Sequence, residues 1–310
     1  MFKPEYFIKK QVKQIKSIVG KNKVIATVSG GLDSIVSTIL AFKAIGNQLS
    51  AVYVDTGLMR GYELSEIKKF LNKKNISLIV INVRKNLFDK LKGISDPKKK
   101  RDIFRNIFYG VLLNIMKKRR VHYLVQGTIK TDFPEPISKI KCSNITTIEP
   151  LKNLSKNEVQ LIGQILKIPS NFLKRPPFPG PGFAVRIIGE VNQEKVKIIR
   201  KATKIVEQET KNIRKFQFFP VLMEGKLIGT KKGKLVFGYG IILRAVKSKD
   251  GGKTAKIVQM SWDALNKIQK RLLKELPNVV HIFYSITDKP PATIELQPAS
   301  FIASKEIKVD

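Results

Sequence analysis

The sequence predicts an α/β fold: a doubly wound parallel sheet followed by a smaller C-terminal α+β domain. Three observations carry this. Strand-like and helix-like patterns alternate from Lys21 to Gly127. The turn Ser29-Gly30-Gly31-Leu32-Asp33-Ser34 joins a strand pattern directly to a helix pattern. Finally, "RPPFPGPGF", residues 175–183, can continue neither a helix nor a central strand, and the pattern changes beyond it. The domains are accordingly placed at 1–178 and 179–310.

Each element follows from its local pattern. "KNKVIATVS" reads as a strand, and "DSIVSTILAFKAIG" as a helix that closes at Gly46. "QLSAVYVDTG" is a second strand. "ELSEIKKFLNKK" is an amphipathic helix with Leu64, Ile67, Phe70 and Leu71 on one face. "ISLIVINV" gives a third strand, "DPKKKRDIFRNIFYGVLLNIMKKRR" a long helix and "VHYLVQG" a fourth strand. Past the proline-rich break, "NQEKVKIIRKATKIVEQET" and "SWDALNKIQKRLLKEL" read as helices. Strands are expected near "FQFFPVL", "KLVFGYGIILRAV" and "VVHIFYSI".

Composition bounds the function. With 310 residues, 43% of them hydrophobic, the chain can bury a real core in two domains. Apolar runs are too short to span a membrane, and the N-terminus carries charges at helical spacing instead of an apolar signal core. A single cysteine, Cys142, fits a reducing, cytoplasmic setting. The net charge of +35 could serve a polyanion. Its lysines are scattered in runs such as "LNKKN", "DPKKKR" and "MKKRR", without an RNA-recognition motif, so no nucleic-acid partner is expected.

The opening turn points to an anion. A strand-to-helix turn aims unpaired backbone N–H groups outward with the helix dipole behind them. Gly30 and Gly31 permit close approach, and Ser29 and Ser34 add hydroxyls. A carboxylate at Asp33 repels phosphate unless Mg²⁺ sits between them. No "GK[ST]" follows, so the pattern is not Walker A. The alternative is an ordinary turn with Asp33 or Ser34 as a helix cap.

"SGGLDS" after a strand resembles the pyrophosphate loop of the N-type ATP pyrophosphatases, whose domain has the adenine nucleotide alpha hydrolase-like fold. "VDTGLMRGYE", "YLVQGTIKTDFPE", "RPPFPGPGFAVRIIGEV" and "ITDKPPATIE" are similar, in order, to the ATP-pyrophosphatase subunit of the GMP synthase family, up to about Glu295. That resemblance implies adenylation of xanthosine monophosphate by ATP, release of pyrophosphate, and displacement of AMP by ammonia to give GMP. It assigns Ser29, Gly30, Gly31, Leu32, Asp33, Ser34, Asp55, Thr56, Gly57, Gln126 and Gly127 to ATP. Asp33, Asp132 and Glu135 would hold Mg²⁺, with Asp33, Asp132 and Lys141 catalytic. Arg101, Lys289, Thr293, Ile294 and Glu295 would bind the monophosphate. By the same analogy the C-terminal domain is a homodimerisation domain.

The nitrogen source is a separate matter. A glutaminase needs a nucleophilic cysteine with a histidine base. Cys142 lacks glycine-flanked geometry, and His122 and His281 lie in apolar strand patterns. A separate glutamine amidotransferase subunit is therefore expected. Two departures from the family pattern stand out. The His-His-Asn lid segment expected after "KIK" is shortened here, and the tail after Glu295 runs on. These admit two alternatives: a lid-less nucleotide-binding relative with little turnover, or an RNA-modifying enzyme on the same fold.

Overall fold

The computed structural model describes residues 2–130, 144–211, 217–248 and 252–296. The chain forms two compact units. The first comprises residues 1–56, 61–83 and 106–178, and the second residues 57–60, 84–105 and 179–310.

In chain order come helix α1 (Pro4–Val19), strand β1 (Val24–Thr27), helix α2 (Leu32–Ile45) and strand β2 (Leu49–Asp55). Helix α3 (Glu63–Lys73) and strand β3 (Ser77–Asn82) follow. Helix α4 (Arg84–Leu91) and the first turns of α5 (Pro97–Arg119) belong to the second unit. The rest of α5 returns to the first unit and leads to strands β4 (Tyr123–Val125) and β5 (Thr146–Ile148). Helices α6 (Lys156–Ile165) and α7 (Ser170–Leu173) close the first unit. Its five strands are parallel in the order β3-β2-β1-β4-β5. The strand order reverses between β1 and β4, where the connections diverge and open a crevice at the strands' carboxyl ends.

Side-chain alternation shows why both faces are covered. Val24, Ala26 and Val28 of the β1 region and Leu49, Ala51 and Tyr53 of β2 share one apolar core with α1, α2, α3 and α6. Their neighbours Ile25, Val52, Val54 and Leu124 point the other way and are equally buried. A strand buried on both faces needs a near-continuous apolar run, which "VIAT" and "LSAVYVD" supply. Helix α2 is correspondingly apolar around most of its circumference, from Leu32 to Ile45.

The second unit is built on helix α8 (Gln193–Glu209), strands β6 (Gln217–Leu222), β7 (Leu227–Lys231), β8 (Lys234–Lys247) and β9 (Lys256–Ile257), helix α9 (Trp262–Glu275) and strand β10 (Val279–Tyr284). The long β8 is central, antiparallel to β6, β7 and β9 and parallel to β10. Sequence periodicity foresaw α8, α9, β6, β8 and β10. The short β7 and β9 lie in lysine-rich, weakly patterned segments. Asn192 caps α8 and Ser261 caps α9, each accepting a backbone N–H.

Within this unit the last glycine of "PFPGPG" has a defined job. Gly182 has φ +61°, and a Cβ there would lie 2.3 Å from the Leu58 carbonyl oxygen, which accepts the Phe183 N–H at 2.8 Å. Lys100, near the start of α5, is 2% exposed and donates to the carbonyls of Ile187 at 2.8 Å and Gly189 at 2.5 Å. Burial pulls its pKa down to about 8, against the partial opposition of Glu224.

A pH prediction follows from that amine. Its folded pKa lies below its unfolded value, so between about pH 8 and pH 10.5 the unfolded chain binds more protons and this group's contribution to stability rises with pH. Unfolding of wild type and Lys100→Met, compared from pH 7 upward, should show wild type gaining on the variant across that window. Parallel profiles would mean that Lys100 does not titrate there.

Candidate functional site

The turn between β1 and α2 is wired by its own hydroxyls. The Ser34 hydroxyl donates to Gly31 O at 2.9 Å and accepts from the Ser29 N–H and the Ser29 hydroxyl, both at 3.2 Å. Ser34 is buried, and its oxygen is therefore a strut of the loop as much as a ligand donor. The N-cap is Gly31, which has no side chain to cap with. The first helical bond is from Ile35 N–H to Gly31 O at 3.3 Å. The N–H groups of Leu32, Asp33 and Ser34 precede it and have no partner inside the helix. This is the geometry of an anion cradle.

At this site Gly30 and Gly127 are two positions that call for glycine. Gly30 has φ +86°, and its carbonyl accepts Arg175 Nη1 at 2.7 Å. Arg175 also binds Glu66 and stacks on Phe172, with its guanidinium carbon 4.6 Å from the ring centroid. A Cβ on Gly127 would lie 2.6 Å from Ser34 N and 2.7 Å from the Asp33 carbonyl carbon. The loop after β4 thus packs its backbone directly on the first turn of α2. Gln126 is held beside it by its N–H to Ile148 O at 3.0 Å.

Asp33 is not bare. Lys156 Nζ bridges both its oxygens, at 2.8 and 2.6 Å. Lys156 is the first residue of α6, where a cation opposes the helix dipole. The Asp33 carboxylate offsets that. A reciprocal capping box between Ser155 and Glu158 fixes the start of α6 and hence the lysine's position. The Ser155 N–H bond holds the Glu158 carboxyl below its ordinary pKa. Neither Lys156 nor Arg175 was among the residues expected from sequence. The box "SKNE" was readable as a helix start, but nothing local said that its lysine would reach Asp33.

The first unit therefore brings together Ser29–Ser34, Asp55, Thr56, Gln126 and Gly127 at the carboxyl ends of β1, β2 and β4. Asp55 and Thr56 are buried, and Asp55 O accepts the Val83 N–H at 2.9 Å. Gly57 clusters with the second unit, where its carbonyl accepts a bond from Arg200. Asp132, Glu135 and Lys141, with Cys142, fall outside the described residues. No group of three or more His, Cys, Asp or Glu side chains that could hold a metal occurs among the described residues. Of the expected magnesium ligands only Asp33 is described. A carboxylate oxygen beside uncapped N–H groups suits a hard cation accompanying phosphate.

In the second unit, Arg101 and Arg186 both act on the Glu295 carboxyl. Arg186 Nε lies 3.7 Å from Glu295 Oε2, and its guanidinium stacks 4.4 Å from the Phe219 ring centroid. Burial dominates both partners, lowering the Arg186 pKa to about 10 and raising that of Glu295. Lys289 Nζ donates to Gly252 O at 2.5 Å. His122 and His281 are both exposed, each with a ring nitrogen bonded to a backbone carbonyl, that of Asn144 at 3.2 Å and that of Ile228 at 2.9 Å.

A parallel sheet in the order 3-2-1-4-5, with an uncapped glycine-rich turn at its switch point, defines a doubly wound α/β unit whose turn has the geometry to receive an anion. Residues 204–296 match the family model for the GMP synthase C terminal domain. The chain is 42% identical to a subunit of the glutamine-hydrolyzing GMP synthase of Methanocaldococcus jannaschii, over 96% of this chain and 100% of that protein. It is 41% identical to the corresponding Archaeoglobus fulgidus subunit, over 94% and 99%. Among solved structures, NMN synthetase from Francisella tularensis aligns with a TM-score of 0.48 and 15% identity, over 90% of this chain and 96% of that one. The chain belongs to the family of these GMP synthase subunits.

The contact at Gly127 yields a sharp expectation. Gly127→Ala forces the β4 loop off the first turn of α2 and should destabilise the first unit by about 1–3 kcal/mol, the usual cost of overpacking. Denaturant unfolding measures it. A variant within a few tenths of wild type would show that the loop yields freely.

Proposed function

We propose that this chain is the synthetase component of a two-subunit GMP synthase, a C–N ligase. It adenylates xanthosine monophosphate with ATP, releases pyrophosphate, and replaces AMP with ammonia to form GMP. Similarity to GMP synthase subunits over nearly the whole chain supports this reading over a non-catalytic or RNA-modifying role. The observation that carries the site assignment is the uncapped turn at Gly31, beside which Asp33 and Lys156 are paired. The turn's N–H groups would hold the leaving pyrophosphate, and Lys156, so close to it, would add positive charge. Mg²⁺, bound with ATP, would neutralise phosphate charge beside Asp33, with Asp132 and Glu135 as further candidate ligands. With Asp33 among the residues that would hold the metal, its partner Lys156 would be available to the phosphate.

The xanthosine monophosphate contacts are proposed for the second unit: Arg101, Lys289, Thr293, Ile294 and Glu295. A separate glutaminase subunit would supply ammonia. Self-association is supported by an apolar face on β7 and β8. Ile228 lies opposite Phe237, with Leu235 two residues along, and these side chains are 60%, 68% and 74% exposed. No helix of the described residues is long and apolar enough to cross a membrane.

Asp33→Asn should leave the fold intact and abolish pyrophosphate release at ordinary magnesium, because the turn keeps its shape while the carboxylate charge is gone. Wild-type turnover in that variant would reduce Asp33 to a structural residue. The purified chain should also form GMP with ammonium and none with glutamine alone. Glutamine-dependent synthesis by the single chain would overturn the two-subunit reading.

A further inference from the structure

Arg244 lies towards the C-terminal end of β8, opposite Phe219 of β6, and is 0% exposed. A guanidinium buried in a sheet core is costly unless every donor direction finds an acceptor. Here the acceptors all come from one stretch of chain. Arg244 Nη1 donates to Ser285 Oγ at 2.8 Å and to Thr287 O at 3.0 Å. Its Nη2 donates to Thr293 O at 2.7 Å and its Nε to Ile294 O at 2.9 Å. Two acceptors precede Lys289 and two follow it, so a single planar fork closes the base of the loop that presents Lys289.

The tip of that loop is tied separately. Lys289 and Ala255 exchange backbone bonds, Lys289 N–H to Ala255 O at 2.8 Å and Ala255 N–H to Lys289 O at 3.0 Å. Asp288 accepts the Ile257 N–H and the Lys256 ammonium, both at 2.8 Å. The Ala292 N–H returns to Asp288 O at 3.0 Å. Tip and base are thus fixed on opposite sides of the lysine. Of the two, only the base depends on a buried charge.

We infer that Arg244 is a positioning residue for nucleotide recognition: its guanidinium sets the spacing between Lys289 and the Thr293–Glu295 segment, so that both reach one monophosphate substrate. The inference rests on the proposed role of residues 289–295. Arginine is required because its fixed fork serves acceptors in several directions at once, which a lysine amine cannot reproduce. Disturbing the fork should misplace the monophosphate contacts while leaving the ATP loop of the first unit as it is.

The test is steady-state kinetics with ammonium on Arg244→Lys, Ser285→Ala and Lys289→Ala. Ser285→Ala removes one acceptor of the fork without leaving a buried cation fully unpaired, and it guards against misfolding in the arginine variant. Arg244→Lys should raise KM for xanthosine monophosphate at least ten-fold, and Ser285→Ala about three-fold. KM for ATP, and kcat at saturating monophosphate, should stay within about two-fold of wild type. An unchanged monophosphate KM in both fork variants, with Lys289→Ala still defective, would overturn the positioning role and leave the pocket standing. Equal losses toward both substrates would make Arg244 a general core residue. If Lys289→Ala also leaves monophosphate KM unchanged, the assignment of this segment to the substrate falls, and this inference with it.

Discussion

The first turn of α2 is the constraint on which the rest of the first unit depends. For the proposed pyrophosphate contact its N–H groups must stay available at the carboxyl edge of the sheet, so nothing in the chain may cap them. That requirement explains the glycine at the N-cap, where serine or aspartate would ordinarily be more stabilising. It explains why the hydroxyls of Ser29 and Ser34 are spent on each other and on Gly31 O. It also explains the glycine at 127, since the neighbouring loop can close on this turn only by backbone contact. The apolar α2 and the doubly covered β1 behind it make the platform rigid.

Charge in this protein is handled in two different ways. At the turn, Asp33 and Lys156 are partly exposed, so their pairing is weak as a source of stability and readily exchanged for ligands. In the second unit, Arg186, Arg244, Lys100 and Glu295 are withdrawn from water, and burial governs the pKa direction of each. Each buried cation is surrounded by carbonyls, a carboxylate or an aromatic face. Removing one such partner would leave a buried charge less well compensated, which is costly.

Much of this was legible in the sequence. The strands "VIAT" and "LSAVYVD" and the apolar α2 announced a sheet covered on both faces, and "SGGLDS" announced the anion turn. The resemblance of "RPPFPGPGF" and "DKPPATIE" pointed to the family. What sequence could not give were long-range pairings. Lys156 reaches Asp33 across 123 positions, and Arg175 reaches Gly30 across 145. Both sit in stretches whose local chemistry says only helix start or chain break. Arg244 likewise reads as one polar residue in an apolar strand, and only the packing of β8 shows that its fork gathers residues 285–294. The short β7 and β9 were missed because lysine-rich edge segments carry little alternation.

The central claim is that the chain activates xanthosine monophosphate by transferring an adenylyl group to its O2, the oxygen that later departs with AMP. Xanthosine monophosphate labelled with heavy oxygen at O2, incubated with the purified chain, ATP, Mg²⁺ and an ammonium salt, tests it directly. Mass spectrometry should find one heavy oxygen in the AMP phosphate and none in GMP. AMP without label, or GMP that keeps the label, would contradict adenylation at O2 and with it this account of the site.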